Sequence, residues 1–126
     1  MFKLTIIANF DAAHCLPGYP GKCQRLHGHN WKVEVTVTGN KLNSLGMLVD
    51  FKELKEALGE TIINLDHYYL NDIPAFQGIN PTAEHIAEYV YNNLAEHRLF
   101  ANNNIKISSV KIWESVHSAV EYTEEI

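Results

Sequence analysis

Three histidines and a cysteine are the side chains best able to do chemistry here: His14, closing Phe10-Asp11-Ala12-Ala13-His14, and the run Cys23-Gln24-Arg25-Leu26-His27-Gly28-His29. An imidazole is largely neutral near pH 7 and offers a nitrogen lone pair, so three that converge make a site for a divalent metal. Strand parity predicts that convergence. Phe2, Leu4, Ile6, Ala8 and Phe10 are apolar at even positions, with Lys3, Thr5 and Asn9 between them, the period of a strand with one buried face. His14 falls in phase with the apolar set. Trp31, Val33, Val35 and Val37 repeat the pattern at odd positions, between Lys32, Glu34, Thr36 and Thr38, and His27 and His29 share that phase. Three unpaired imidazoles on the buried side of two neighbouring strands would be costly. A metal with three protein ligands and an open fourth position relieves the cost, which points to a catalytic zinc, one per subunit, rather than a structural one. Cys15 and Cys23 are the only cysteines, without the Cys-x2-Cys spacing of a closed structural site. An isolated His-x-His pair arises more often by chance; a third histidine in phase and a cysteine four residues ahead of the pair carry the argument.

The elements that must position these groups follow from periodicity. A loop with two prolines and two glycines, Leu16-Pro17-Gly18-Tyr19-Pro20-Gly21-Lys22, separates the two strands and puts Cys23 at a loop–strand junction. The second strand ends at Gly39-Asn40, followed by a turn and a short extended piece, Gly46-Met47-Leu48-Val49. Asp50, with Glu53 three residues on, resembles a capping box. Phe51, Leu54, Ala57, Leu58 and Ile62 form the apolar stripe of the helix it opens. Residues 64–80 read as irregular. Asn80-Pro81-Thr82 starts a second helix with proline in its first turn, and Ala83, Ile86, Ala87, Val90 and Leu94 give it an apolar face. Asn102-Asn103-Asn104 is a turn, Ile105 to Trp113 a strand, and Val116 to Tyr122 a last strand. The order ββααββ predicts an α+β protein: a four-stranded antiparallel sheet with two helices on one face. Its edges are of the kind often paired across subunits.

The 126 residues fit one domain, 1–126. An apolar share of 46% and a charged share of 20% are those of a soluble globular protein. A net charge of −5 and a pI near 5.7 argue against a nucleic-acid surface, though not against a small anionic substrate held by local cations. No apolar run approaches the ~20 residues of a membrane span. The chain opens directly in an alternating strand without a leader, and two cysteines without a secretory signal suggest a reducing, cytoplasmic setting.

Phe10-x-Ala12-Ala13-His14, Cys23-x3-His27-Gly28-His29, Leu65-Asp66-His67, Asn80-Pro81-Thr82-x-Glu84 and Trp113-Glu114, taken in order, resemble the 6-pyruvoyltetrahydropterin synthase family across essentially the whole chain. The short length and the stretch Asp66-His67-Tyr68-Tyr69-Leu70-Asn71-Asp72 look most like its bacterial and archaeal branch. Members of that branch form 6-carboxy-5,6,7,8-tetrahydropterin from 7,8-dihydroneopterin triphosphate, with release of acetaldehyde and triphosphate, in queuosine and other 7-deazapurine biosynthesis. The resemblance implies the tunnelling fold: barrel-like trimers stacked into a homohexamer, a dimer of trimers, with active sites at subunit interfaces. Another branch makes the 6-pyruvoyl product by eliminating triphosphate. A third, which makes a folate precursor, typically carries Glu where this chain has Cys23.

The resemblance also implies roles. His14, His27 and His29 match the zinc ligands, and Cys23 the proton-abstracting base. A free thiol titrates near 8.5, so zinc and a neighbouring imidazolium would favour its thiolate. His67 matches a proton relay with Cys23, with Asp66 orienting the imidazole. Glu114 matches the pterin anchor, and it continues the inward even phase of Val110 and Ile112. Ile105 and Ile107 have odd phase, so a bulge near Ser108-Ser109 is expected to re-phase the strand. Thr82 and Glu84 are candidate substrate-side or interface groups, set against ordinary first-turn helix chemistry. Lys22 and Arg25, flanking Cys23, are candidate triphosphate contacts. Cys15 has the opposite parity to His14 and reads as inert, while His85, His97 and His117 carry no assigned chemistry. Two other classes fit some of the residues. His27-x-His29-x4-Glu34 fits the metal motif of cupin oxygenases, but parity turns Glu34 to the other face. A zinc-stabilised scaffold would leave Cys23 and His67 without purpose.

Overall fold

The computed structural model describes residues 1–101 and 104–124. Asn102 and Asn103 of the expected turn lie outside the described residues. Strands β1 (Phe2–His14), β2 (His27–Gly39), β3 (Lys106–Ser115) and β4 (Ser118–Tyr122) form one antiparallel sheet in the order β1-β2-β3-β4. Helices α1 (Phe51–Ile62) and α2 (Ala83–Ala95) connect β2 to β3 and cover one face, α1 against β1 and α2 against β3 and β4. The alternating apolar residues of the strands pack there into one core with Leu54, Leu58, Ile86, Val90 and Leu94. The expected ββααββ order therefore holds. A four-residue helix, α3 (Arg98–Ala101), is added after α2; it is too short for periodicity to reveal.

The β1–β2 register gives the three histidines one face. Phe10 pairs with Trp31, Ala12 with His29 and His14 with His27, so even positions of β1 and odd positions of β2 share the covered face. The β3 bulge lies where the clash of phases required it: Thr36 pairs with Ser109 and Val37 with Ile107, leaving Ser108 as the extra residue. A second bulge lies in β3 where the sequence pattern shows no conflict of phase. Trp113 pairs with Ala119 and Ser115 with Ser118, which leaves Glu114 unpaired on that side. Bulges bend a strand and re-aim its side chains, and this one falls on the carboxylate of interest.

Other local expectations are corrected. Gly46–Val49 is not extended; Asn43 Oδ1 accepts from the N–H groups of Leu45 and Met47 and closes a turn, while Leu48 and Val49 are buried. Asp50 does cap α1, accepting from Lys52 N–H at 2.8 Å, but among the described residues Glu53 does not return the second bond of a capping box. Helix α2 begins at Ala83 with Thr82 as its cap, accepting from His85 N–H at 3.2 Å, so Pro81 lies just outside the helix. Strand β4 starts at Ser118 rather than Val116. At the end of β2, Gly39 is required by close approach: a Cβ there would lie 2.6 Å from Leu48 Cδ1 and 2.8 Å from the Asn104 carbonyl oxygen.

The irregular segment before α2 has a defined place. It folds through two 3-10 turns, Leu70–Asp72 and Pro74–Phe76, and its start docks on the outer edge of β1. His67 N–H donates to the Asp11 carbonyl at 2.6 Å, and Ala13 N–H donates to the Tyr68 carbonyl at 3.3 Å. Asn71 grips the chain just past His14, accepting from Cys15 N–H and donating to the Cys15 carbonyl, both at 3.0 Å.

Candidate metal centre

Strand β1 delivers His14 and strand β2 delivers His27 and His29 to one point. The ring centroids are 4.5 Å (His14–His27), 5.1 Å (His14–His29) and 4.8 Å (His27–His29) apart. His14 is fully buried, and Trp31, also fully buried, stands edge-on to His14 and His29 at 5.2 and 5.1 Å. The Trp31 indole N–H is spent on the Ala12 carbonyl at 3.2 Å, so the indole is locked beneath the cluster.

The hydrogen bonds decide which ring nitrogens are available. His14 Nδ1–H donates to the Pro81 carbonyl at 2.8 Å, and His27 Nδ1–H donates to the Arg25 carbonyl at 2.8 Å. Each bond fixes a tautomer whose Nε2 lone pair is free, the usual outer support of a metal-bound imidazole. The Nε2 atoms of His14, His27 and His29 are all buried without a hydrogen-bond partner. Buried polar atoms are seldom left so, and a divalent cation bound to all three would satisfy them together. Burial holds His14 and His29 below the usual histidine range, which keeps the rings neutral as ligation requires. The carboxylate of Glu114 opposes that shift at both. It lies 3.5 Å from His29 Nε2, an electrostatic contact rather than a hydrogen bond. The three histidines can thus hold a metal ion, and the ligand set within 4.8 Å contains no sulfur. Nor does it contain Glu34, which accepts from Trp113 Nε1 at 2.9 Å and lies 3.5 Å from Lys32 Nζ on the uncovered face. The oxygenase ligand set is therefore not assembled.

The other candidates fall in separate places. Cys23 is half-buried in a 3-10 turn, Lys22–Gln24, whose carbonyl at Cys23 accepts from Leu16 N–H at 2.8 Å. Lys22 and Arg25 are exposed beside it. His67 is exposed and has the positive φ of 64°, a left-handed conformation that costs a non-glycine residue about 1–2 kcal/mol. Its Nδ1 lies 2.9 Å from Asp66 Oδ1. That carboxylate also accepts from Asp11 N–H at 3.0 Å, the main cause that holds Asp66 below the ordinary aspartate range. Among the described residues no hydrogen bond or ion pair joins Cys23 to His67. Cys15 makes a 2.9 Å contact from Sγ to Tyr69 Oη, so it is a bonded group rather than a plain apolar filler. Sequence reasoning missed the supporting carbonyls of Pro81 and Arg25, since any residue type supplies a carbonyl. It also missed Asp11, whose carboxylate groups with Asp66 and His67.

Comparison with known proteins identifies the family of the chain. The chain is 34% identical to the 6-carboxy-5,6,7,8-tetrahydropterin synthase of Haemophilus influenzae, over 98% of this chain and 100% of that protein. It is 39% identical to the Synechocystis protein of the same name, over 90% of this chain and 87% of that one. Its fold matches the structure of Caenorhabditis elegans 6-pyruvoyl tetrahydropterin synthase with a TM-score of 0.85 at 23% identity, covering 98% of this chain and 96% of the other. The family described as 6-pyruvoyl tetrahydropterin synthase matches residues 3–125, a span that includes both long helices, the three histidines and all of the sheet except Phe2. By that match this chain belongs to the 6-pyruvoyl tetrahydropterin synthase family.

Proposed function

We infer that this chain is a zinc-dependent lyase that converts 7,8-dihydroneopterin triphosphate to 6-carboxy-5,6,7,8-tetrahydropterin, releasing acetaldehyde and triphosphate. The observation that carries the reading is the set of three buried, unpartnered Nε2 atoms, with the Glu114 carboxylate beside one of them, in a chain whose full-length relatives bear that name. A set of neutral imidazoles suits zinc, which when bound supplies Lewis-acid polarisation of a substrate oxygen. Glu114, re-aimed by its bulge, accepts the paired N–H donors of the pterin ring. Cys23 takes the proton from the substrate side chain. His67, with Nδ1–H turned to Asp66, exchanges protons through Nε2. Lys22 and Arg25 meet the triphosphate, and Thr82 adds a hydroxyl near the substrate besides capping α2. The chain acts as a single domain, 1–126, in the cytoplasm, in queuosine or related 7-deazapurine biosynthesis. No helix among the described residues is long and apolar enough to cross a membrane.

The relay requires a second copy of the chain. His67 stands beside Asp11, whose side chain projects from the face opposite the three histidines, and Cys23 has no bond to it. In a homohexamer, a dimer of trimers with sites at subunit interfaces, Cys23 of one protomer meets the Asp66–His67 pair of its neighbour. The free stretches of β1 and β4 are the edges available for such pairing. Mixing the Cys23→Ala and His67→Ala proteins after dissociation and reassembly tests this. Each alone should be inactive on dihydroneopterin triphosphate. The mixture should regain a sizeable fraction of activity, because some interfaces combine both intact residues. No recovery in verified mixed hexamers would place both groups in one protomer's site.

A further inference from the structure

The carboxylate of Asp11 has no part in the reaction as described. It sits on β1 three residues before His14, and strand alternation turns it to the face the helices leave open. Its cross-strand partner Asn30 donates from Nδ2 to the Asp11 carboxylate. There it meets the pair that docks on the edge of β1: ligand atoms of Asp11, Asp66 and His67 all lie within 4.8 Å of one another. The backbone of the same residue holds the pair at two points, with Asp11 N–H on Asp66 Oδ1 and the Asp11 carbonyl on His67 N–H. These bonds account for the left-handed conformation of His67 being held. Asp11 and His67 line a cavity of about 490 Å³ whose wall also includes His29, Asn30, Tyr68 and Tyr69.

Two carboxylates this close repel each other, and a positive charge between them removes the repulsion. His67 is the member of the cluster able to carry that charge. Asp66 fixes its ring through Nδ1, and Asp11 supplies a second anion, itself immobilised by Asn30. Tyr68, Tyr69 and His29 are the other titratable groups around the cavity. We propose that Asp11 is a positioning residue for the proton transfer: its backbone docks Asp66 and His67 on β1, and its carboxylate, pinned by Asn30 within 4.8 Å of the pair, stabilises the imidazolium formed when His67 Nε2 takes a proton. The proposal rests on the reading of His67 as a proton-exchanging group. The proton arrives on Nε2 and leaves from it, so Asp11 remains ionised throughout.

Asp11→Asn tests it, because the amide oxygen still accepts from Asn30 and only the charge is lost. The expected result is a kcat lower by roughly 10- to 100-fold, less than the 10²–10⁴ of a full general acid–base group. KM, zinc content and melting temperature should be unchanged, and Asp11→Glu should recover part of the rate. In the His67→Ala background the same change should have no further effect, since the two residues act as one unit. Wild-type kcat in Asp11→Asn, or a loss that simply multiplies that of His67→Ala, would overturn the proposal while leaving the reaction assignment intact. An Asp11→Asn protein with a lowered melting temperature and no recovery in Asp11→Glu would make the residue structural and overturn it too. Absence of turnover in the wild-type protein would remove the reaction assignment and this proposal with it.

Discussion

On the proposed mechanism, Cys23→Ala should still bind metal and lose turnover by at least 10²–10⁴-fold, the range expected when a proton-transferring group is removed. The two cysteines of this chain are placed very differently. Cys15 is tied by Sγ to Tyr69 Oη, and its backbone is gripped on both sides by Asn71. Cys23 is half-buried in a short turn, and among the described residues its sulfur makes no hydrogen bond. It also lies outside the set of metal-binding atoms, so its removal leaves the three nitrogens in place. Iodoacetamide should therefore modify Cys23 first, with loss of activity in step and protection by substrate. Peptide mapping by mass spectrometry reads the site, and elemental analysis reads the zinc. Modification of Cys15 first, or full activity in Cys23→Ala, would remove the thiol from the mechanism.

His27→Ala should strip most of the metal and with it the activity. His27 makes the cleaner test than His14, because His14 is fully buried and its truncation would also open a cavity in the core. Losing a ligand should weaken zinc binding by more than the 10- to 100-fold seen when only a ligand's supporting partner is changed. The Arg25 carbonyl loses its donor at the same time, but it lies at an exposed position where water can replace it. Zinc per protomer after dialysis against a chelator of known affinity is the readout. Full occupancy in His27→Ala would show that the three nitrogens are not the ligands.

What could be read from the residues, and what could not, divides along the range of the forces involved. Parity is local, so the shared face of His14, His27 and His29 was legible: nothing interrupts the alternation of β1 or β2 before those positions. The bulge at Ser108 was legible because Ile107 and Val110 are both apolar and cannot share one unbroken phase. The bulge at Glu114 was not, since Trp113-Glu114-Ser115 shows no such conflict and the bulge exists only against β4. The carbonyls of Pro81 and Arg25 that set the histidine tautomers leave no mark on residue type. The docking of Asp66 and His67 on the edge of β1 was hidden for a related reason. It is made by backbone groups of Asp11 and Ala13, more than fifty residues away in sequence. The match of Cys23 and His67 to family motifs carried no distance between them, and among the described residues no hydrogen bond or ion pair joins the two.

The identity of the product decides the reaction. Purified protein incubated with zinc and 7,8-dihydroneopterin triphosphate should yield 6-carboxy-5,6,7,8-tetrahydropterin, with acetaldehyde and triphosphate in equal amounts, identified by mass. A 6-pyruvoyl product without acetaldehyde, or unchanged substrate in the presence of a full complement of zinc, would contradict it.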